Sequence, residues 1–250
     1  MSGKEIRMKR LFRRPRLFVV PMDHGVTIGP VGGLVDLGGV VRAIAQGGAD
    51  AVIVHKGLAR RIAADLSSGG CELIVHLSAS TALSPDPNRK ELVSSVEHAI
   101  RLGATAVSAH VNLGAGYEPQ MLRDLGRLAE ACDCWGMPCL AMMYVRDGMK
   151  GSEYDPAKIK HAARVAEELG ADIIKVNYTG TPETFAEVTR AVNSPVLIAG
   201  GPKMDSTADL LAMIEDAVQA GAGGAAIGRN VFQAGNPALL AAEIRRALDS

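Results

Sequence analysis

Several features that mark membrane, secreted or disulfide-rich proteins are missing from this 250-residue chain. No apolar run approaches the roughly 18 residues that a membrane-spanning helix needs. The N-terminus shows no apolar stretch followed by a small-residue cleavage site, as a secretory signal would. Four cysteines are too few for a disulfide scaffold, and Cys132-Asp133-Cys134 lacks the spacing of a zinc site. We therefore expect a cytoplasmic protein with reduced cysteines.

A charge of one sign is also missing, since 27 Lys and Arg balance 27 Asp and Glu. This balance gives no electrostatic argument for binding to nucleic acid or to an anionic membrane. One basic run does occur, with seven Lys or Arg between Lys4 and Arg16. We predict that residues 1–15 form a basic lead-in helix with a solvated basic face; an arm that binds polyanions is the alternative.

Short apolar segments alternate with helical patterns along the whole chain, and no linker interrupts them. Strands are predicted at 16–24, 51–54, 73–77, 106–111, 139–144, 173–176, 196–199 and 225–227. One of the intervening helices is predicted over 91–102, after a loop at 78–88 that is rich in Ser and Pro. Eight such units predict an α/β protein with one domain over 1–250, a (β/α)₈ TIM barrel.

A repeated tripeptide supports the closed barrel over an open sheet. A helix ends and an even-numbered strand begins at Gly48-Ala49-Asp50, Gly103-Ala104-Thr105, Gly170-Ala171-Asp172 and Gly221-Ala222-Gly223. Glycine suits the position after a helix because that residue adopts a positive φ. The repeat spans about two strand–helix units, so it divides the barrel into quarters.

Lys175 lies inside the apolar segment 173–176, which is typical of a strand buried on both faces. Burial removes hydration and so favours the neutral amine over the ammonium. A neutral lysine amine can attack a ketone and form a Schiff base. Alternatively, Lys175 reaches solvent from the strand end or grips a phosphate.

Polar side chains follow nearly every predicted strand, at the end where such barrels carry their sites. These residues are Asp23, His24, Lys56, His76, His110, Asn112, Tyr144, Lys175, Gly200, Gly201, Lys203, Gly228 and Arg229. Because a purely structural barrel needs no such ring, we predict an active site there.

Two glycine loops after the last two strands predict a phosphate site. Gly200-Gly201 and Gly228 let backbone N–H groups approach an anion, and Lys203 and Arg229 add positive charge. The glycines alone would equally suit tight turns.

Asp23 and Tyr144 are the predicted proton-transfer groups, since a Schiff-base aldolase moves protons at the carbinolamine and at the β-hydroxyl. Alternatively, Asp23 caps a loop and Tyr144 fills the barrel mouth. His24, His76 and His110 are predicted at the rim, where with Asp23 they could instead hold a metal. His55, His98 and His161 are predicted in loops or on helix faces.

These motifs together resemble one family over nearly the whole chain. The matching runs include Val20-Pro21-Met22-Asp23-His24-Gly25, Ala109-His110-Val111-Asn112, Met142-Met143-Tyr144, Tyr178-Thr179-Gly180, Gly200-Gly201-Pro202-Lys203 and Gly228-Arg229-Asn230. They are similar to the archaeal-type class I aldolases of the DeoC/LacD group.

The resemblance implies a cofactor-free enzyme with Lys175 as the Schiff-base residue, Asp23 and Tyr144 as acid/base residues, and a phosphate at the two glycine loops. It implies a homo-oligomer, often a decamer in this family. The most similar branch joins dihydroxyacetone phosphate or a 1-phospho-ketose to L-aspartate 4-semialdehyde. The resulting amino-keto heptonate serves aromatic or aminohydroxybenzoate biosynthesis.

One departure bears on the substrate. The family commonly continues Met-Tyr-Pro-Arg-Gly, whereas this chain has Val145 in place of the proline. Its loss is expected to free the backbone after Tyr144 and to reshape the acceptor pocket. A class I fructose-bisphosphate aldolase, and a non-covalent phosphosugar isomerase or binding barrel in which Lys175 is an electrostatic clamp, remain alternatives.

Overall fold

Eight parallel strands close into a barrel in a computed structural model that describes residues 3–250, with the backbone alone at 67–69. The strands are β1 Leu17–Pro21, β2 Ala51–His55, β3 Glu72–His76, β4 Ala106–Leu113, β5 Cys139–Val145, β6 Ile173–Asn177, β7 Val196–Ala199 and β8 Gly224–Ala226. Each strand pairs with its neighbours in sequence, and Leu17 of β1 meets Gly224 of β8 to close the ring. The predicted (β/α)₈ TIM barrel is confirmed.

Helices surround the barrel because the outward side chains of the strands are apolar and pack against them. They are α1 Gly3–Leu11, α2 His24–Ile28, α3 Leu37–Gln46, α4 Lys56–Ala59, α5 Ala63–Gly69, α6 Val96–Arg101, α7 Glu118–Trp135, α8 Pro156–Glu168, α9 Pro182–Thr189, α10 Thr207–Gln219, α11 Arg229–Phe232 and α12 Pro237–Asp249. A 3₁₀ turn, Ser152–Tyr154, precedes α8. None of these described helices is both long enough and apolar enough to cross a bilayer.

The inward side chains divide the barrel interior into two parts. Leu17, Ile53 and Ile173 belong to an apolar cluster that fills the lower half. Because side chains alternate along a strand, the next inward positions towards the carboxyl ends include His55, on β2, and Lys175, on β6. The upper half is therefore polar.

The repeated tripeptide ends helices as predicted. The φ angles are +89° at Gly48, +80° at Gly103, +94° at Gly170 and +86° at Gly221, all in the left-handed region that favours glycine. Asp50 and Asp172 then accept hydrogen bonds from the Phe18 and Cys139 backbone N–H groups, each at 2.8 Å. The repeat therefore ties each of these strands to the strand before it.

The basic N-terminal segment differs from its prediction. Its helix ends at Leu11 rather than at residue 15, and residues 1 and 2 lie outside the described residues. Its charges are not simply solvated: Lys4 pairs with Asp172 at 3.0 Å, Arg14 with Asp50 at 3.2 Å, and Arg13 with Glu72. The fully buried Leu11 joins the lower apolar cluster. The segment closes the amino end of the barrel.

The helix predicted over 91–102 is shorter in the structure and begins at Val96. Glu91–Leu92 pairs instead with Ser78–Ala79 in a small antiparallel ribbon above β3. Ser95 caps α6, since its Oγ accepts from the His98 N–H at 3.3 Å, and this fixes the start of the helix.

Candidate active site

Lys175 lies within the upper half of the barrel with only 6% of its surface exposed. It does not reach bulk solvent from the strand end, which was one alternative. Its Nζ has no hydrogen bond or ion pair with the described side chains, so no partner orients or blocks the amine. Its Nζ lies 6.0 Å from the centre of the Tyr144 ring on β5.

Asp23 sits beside a group of histidines at the ends of β1, β2 and β3. Its Oδ2 is 3.7 Å from His76 Nε2 and its Oδ1 is 3.8 Å from His24 Nδ1. The His55 ring contacts the His76 ring edge to face, with centroids 5.2 Å apart. Asp23 precedes α2, but its side chain makes no capping hydrogen bond, so its carboxylate remains available to the site.

The pKa values in this group separate one ionised residue from its neutral neighbours. Burial alone would raise the pKa of Asp23, but the positive charge of His76, His24, Lys175 and His55 outweighs it and lowers the pKa to about 2. Burial lowers the pKa of His76 to about 4, against the attraction of Asp23. Burial also lowers the pKa values of His24 and His55. At neutral pH, Asp23 is an anion and the imidazoles near it are neutral.

Hydrogen bonds hold the histidines in fixed orientations. His76 Nδ1 is 2.8 Å from Ser108 Oγ, and its Nε2 is 3.3 Å from Ser78 Oγ. The Ser78 Oγ also accepts the backbone N–H of His110 at 2.9 Å. These three hydrogen bonds link β3, the short ribbon and β4.

Asn112 fixes the tautomer of His110. Its amide nitrogen donates to the Asn88 carbonyl, so its oxygen accepts from His110 Nε2–H at 2.8 Å. The His110 ring then packs against Tyr144, with centroids 4.7 Å apart. Asn112 therefore acts behind His110 rather than at the cavity.

A cavity of about 360 Å³ opens above Lys175. Of the predicted residues, the cavity wall includes His24, His110, Tyr144, Lys175, Gly200, Gly201, Gly228 and Arg229. Arg146, Glu153, Tyr154 and Asn177 complete one side of it. The Lys175 amine therefore shares one cavity with the two glycine loops and Arg229 and with two further charged residues, Arg146 and Glu153.

The glycine-lined end allows close approach of a ligand to the backbone. A Cβ at Gly228 would lie 2.5 Å from the Pro21 carbonyl oxygen, so only glycine fits there. Asn230 Nδ2 donates to the Gly200 and Pro202 carbonyls, both at 3.1 Å, and clamps the two glycine loops together. Arg229 Nε is buried and has no partner among the described residues. An anion would satisfy it.

Two predicted residues point elsewhere. Lys56 is exposed on α4 and donates to the Val93 carbonyl. Lys203 is exposed and donates to the Gln233 carbonyl at 3.1 Å, outside the cavity wall. Both follow strand ends in sequence, but the loops turn their long side chains away from the barrel axis.

Sequence reasoning missed several polar residues of the site. His55 was expected in a loop or on a helix face, but it is the last residue of β2 and contacts His76. Ser108, Asn177 and Asn230 also lie in or behind the cavity. Ser108 and Asn177 could have been found from the alternation of inward positions along β4 and β6; for Asn230, the sequence carries no such signal.

Of the three rim histidines, His76 and His110 are held by hydrogen bonds, whereas the buried Nδ1 of His24 has no hydrogen-bond partner among the described residues. Across the described side chains, no three His, Cys, Asp or Glu residues are grouped to hold a metal ion. The imidazole nitrogens of His76 and His110 are instead directed at hydroxyl and amide groups.

Comparisons with known proteins agree with this geometry. Residues 17–234 match the model of the DeoC/LacD family of aldolases. A 2-amino-4,5-dihydroxy-6-oxo-7-(phosphonooxy)heptanoate synthase from Streptomyces griseus is 44% identical, with 96% of this chain and 88% of the relative covered. A 2-amino-3,7-dideoxy-D-threo-hept-6-ulosonate synthase from Archaeoglobus fulgidus is 46% identical, with 96% and 89% covered.

A solved structure supplies the chemical parallel. An archaeal fructose-1,6-bisphosphate aldolase, whose catalytic lysine is covalently bound to the carbinolamine intermediate, superposes with a TM-score of 0.90 at 31% identity, with both chains fully covered. Such an enzyme needs no cofactor, because the protonated imine is the electron sink. The chain described here belongs to the DeoC/LacD aldolase family and is a class I, Schiff-base aldolase.

Proposed function

We propose that this aldolase joins dihydroxyacetone phosphate, or a related 1-phospho-ketose, to L-aspartate 4-semialdehyde and releases an amino-keto heptonate. The observation that carries the proposal is the buried Lys175, whose amine shares one cavity with Arg229 and Arg146. Two synthases with 2-amino-heptonate products are 44% and 46% identical to this chain.

Lys175 carries out the first step of the reaction. Its Nζ attacks C2 of the donor ketone, and the carbinolamine loses one water to become an iminium. Loss of a proton from C3 gives the enamine, and the iminium nitrogen receives the electron pair. Asp23, whose carboxylate is ionised at neutral pH and interacts electrostatically with Lys175, accepts the protons released in these steps and returns them.

Tyr144 serves the bond-forming step. C3 of the enamine bonds to the aldehyde carbon, and the aldehyde oxygen takes up the proton that C3 gave away. The Tyr144 ring centre lies 6.0 Å from Lys175 Nζ and 5.4 Å from Arg146 Cζ, and its hydroxyl is assigned as the proton donor for that oxygen. One water then hydrolyses the new iminium and frees Lys175, so that the water lost earlier is restored.

The glycine-lined end holds the donor phosphate. Arg229 offers a buried N–H without a partner. At Gly201 no atom of the described residues beyond its chain neighbours lies within 4 Å of the position of a Cβ, so a phosphate oxygen can approach the backbone there. Lys203 contributes at most a long-range charge, because its Nζ bonds to the Gln233 carbonyl.

A product assay tests the proposal. The enzyme is incubated with dihydroxyacetone phosphate and L-aspartate 4-semialdehyde, and products are followed by mass spectrometry. We expect a product whose mass is the sum of the two substrates. Rapid cleavage of fructose 1,6-bisphosphate without that condensation would favour the fructose-bisphosphate aldolase alternative instead.

We also infer that the enzyme is a cytoplasmic homo-oligomer. Val35 and Leu83 expose 92% and 95% of their surfaces, and such large apolar side chains are more often covered in an assembly. Sedimentation equilibrium tests this, since a monomer at micromolar concentration would contradict it.

A further inference from the structure

Two opposite charges of the cavity wall have no charged partner among the described residues. Arg146 follows β5 and Glu153 lies in the 3₁₀ turn, and both belong to the cavity wall. The Arg146 guanidinium makes one long hydrogen bond, 3.3 Å to the Val145 carbonyl, and lies 5.4 Å from the Tyr144 ring centre. Within the described part of the chain, neither side chain forms an ion pair, with each other or with any neighbour.

Neighbouring charges do not neutralise this pair, because they neutralise one another. Asp147 Oδ2 accepts from Lys158 Nζ at 2.6 Å and from Ser152 Oγ at 2.7 Å. Lys158 Nζ also lies 2.8 Å from Ser152 Oγ. This closed triad satisfies the carboxylate next to Arg146 and the nearest lysine. Arg146 and Glu153 are left to face the cavity.

The same contacts hold the loop in place. Arg146 N–H donates to the Leu113 carbonyl at 2.7 Å, so the missing proline does not free the backbone after Tyr144, contrary to expectation. Asn177 Nδ2 donates to the Glu153 carbonyl at 3.0 Å, and Asn177 is the next inward residue after Lys175. The loop is therefore tied to the strand that carries the nucleophile.

We propose that Arg146 and Glu153 form an amino-acid recognition site, in which Arg146 binds the α-carboxylate of the aldehyde substrate and Glu153 its α-ammonium group. A guanidinium binds a carboxylate with two parallel hydrogen bonds, and a carboxylate accepts from an ammonium. Both named synthase products carry a 2-amino acid head, whereas they differ at C7. Condensation with an amino-acid aldehyde would supply this 2-amino acid group in both products.

The length of the product's carbon chain is compatible with the positions of Lys175 and Arg146. Five carbon–carbon bonds separate C6, the carbon that Lys175 holds, from the C1 carboxylate, and they span roughly 6 Å when extended because each is about 1.5 Å long. Tyr144 lies near both groups, with its ring centre 6.0 Å from Lys175 Nζ and 5.4 Å from Arg146 Cζ. The aldehyde carbon then lies on the Lys175 side of the amino-acid head.

Three aldehyde substrates distinguish an effect on substrate recognition from an effect on the bond-forming step. L-Aspartate 4-semialdehyde carries both charges, succinate semialdehyde lacks the ammonium, and butanal lacks both. We expect Arg146→Gln to lower kcat/KM roughly 10- to 100-fold for the two acids and to leave butanal within about twofold of the wild type. Glu153→Gln should lower it by a similar factor for aspartate semialdehyde alone. Arg127→Gln and Glu130→Gln, exposed on α7, are the matched controls.

Two results would overturn the inference. An equal loss on all three aldehydes would make Arg146 a positioning residue, and an equal loss on both acids for Glu153→Gln would remove its role with the ammonium. The inference rests on the proposed function, so each variant is also incubated with dihydroxyacetone phosphate and borohydride, without aldehyde. A normal donor adduct with no discrimination refutes the recognition site alone; no adduct on the wild type refutes both.

Discussion

The two ends of the barrel both carry buried charges, but only one end leaves them without partners. At the amino end, Asp50 is 4% exposed and accepts from Arg245, Arg14 and the Phe18 N–H. At the carboxyl end, no hydrogen bond or ion pair among the described residues holds the Lys175 amine, and the Arg229 Nε is likewise without a partner. The buried charges at the first end are paired with one another, so the loss of one partner destabilises the fold, whereas those at the second are available to a ligand.

The two ends of the barrel differ because different elements of the chain cover them. Helix α1 brings Leu11 into the lower apolar cluster and supplies guanidinium groups to Glu72 and Asp50. The carboxyl end is covered by loops and short helices such as α2 and α11, which leave a cavity of about 360 Å³. We therefore expect variants of Lys175 and Tyr144 at the carboxyl end to change activity, and variants of the paired groups at the amino end to change stability.

The largest effect is expected at Lys175, the proposed nucleophile. Lys175→Arg keeps the positive charge but cannot supply a neutral amine, since guanidinium stays protonated in proteins. We expect activity to fall on the order of 10⁴-fold or more, with the melting temperature nearly unchanged. Lys160→Arg, on the exposed surface of α8, is the control. Retention of much activity by the Lys175 variant would favour the electrostatic-clamp alternative.

A smaller loss is expected when the phenol hydroxyl is removed. Tyr144→Phe keeps the ring contact with His110 but deletes the proton donor, so kcat should fall by about 10²- to 10⁴-fold. Donor trapping on Lys175 should persist, because Tyr144 is assigned to the later step. If trapping were lost together with kcat, Tyr144 would belong to carbinolamine formation instead.

A variant at the amino end of the barrel should lose stability and keep its activity. Asp50→Ala leaves the Phe18 N–H without its acceptor and removes a buried partner of Arg245. The free energy of unfolding should fall by about 2–4 kcal/mol, with kcat of the folded enzyme kept. Urea denaturation measures it, with the exposed Glu215→Ala as the control. A loss of kcat without a loss of stability would contradict the division between the two ends.

The smallest effect concerns pH and Asp23. Its folded-state pKa of about 2 is below its ordinary value of 3.8, so its charge stabilises the folded state above pH 3.8. This contribution, about 2 kcal/mol, is lost as the pH falls from 3.8 to about 2. Asp23→Asn should remove that part of the pH dependence. Parallel unfolding curves of the two proteins across this range would show that Asp23 does not interact with the cations around it.

Much of the fold could be predicted because its signals are local. Alternating apolar segments and the positive-φ glycines at 48, 103, 170 and 221 are readable from sequence alone, and they predict the barrel. The 91–102 helix was predicted too long because the pairing of Glu91–Leu92 with Ser78–Ala79 is a tertiary contact. The ion pairs of Lys4 and Arg14 were missed for the same reason.

The position of a site residue could be predicted where the residue lies at a strand end, as for Lys175, Tyr144 and Gly228. It could not be predicted where the path of a loop or the pairing of side chains determines that position. Lys203 follows a strand end but turns to the Gln233 carbonyl, and Glu153 reaches the cavity only because Asn177 holds its carbonyl. Such contacts depend on residues 24 to 30 positions apart in sequence.

The most direct test of the account is to trap the Schiff base. The enzyme is incubated with dihydroxyacetone phosphate and sodium borohydride, and intact mass is followed by peptide mapping. We expect a mass increase equal to the donor less one oxygen atom, located on Lys175 and absent from Lys175→Arg. A donor that binds the folded protein without forming an adduct, or an adduct on another lysine, would contradict it.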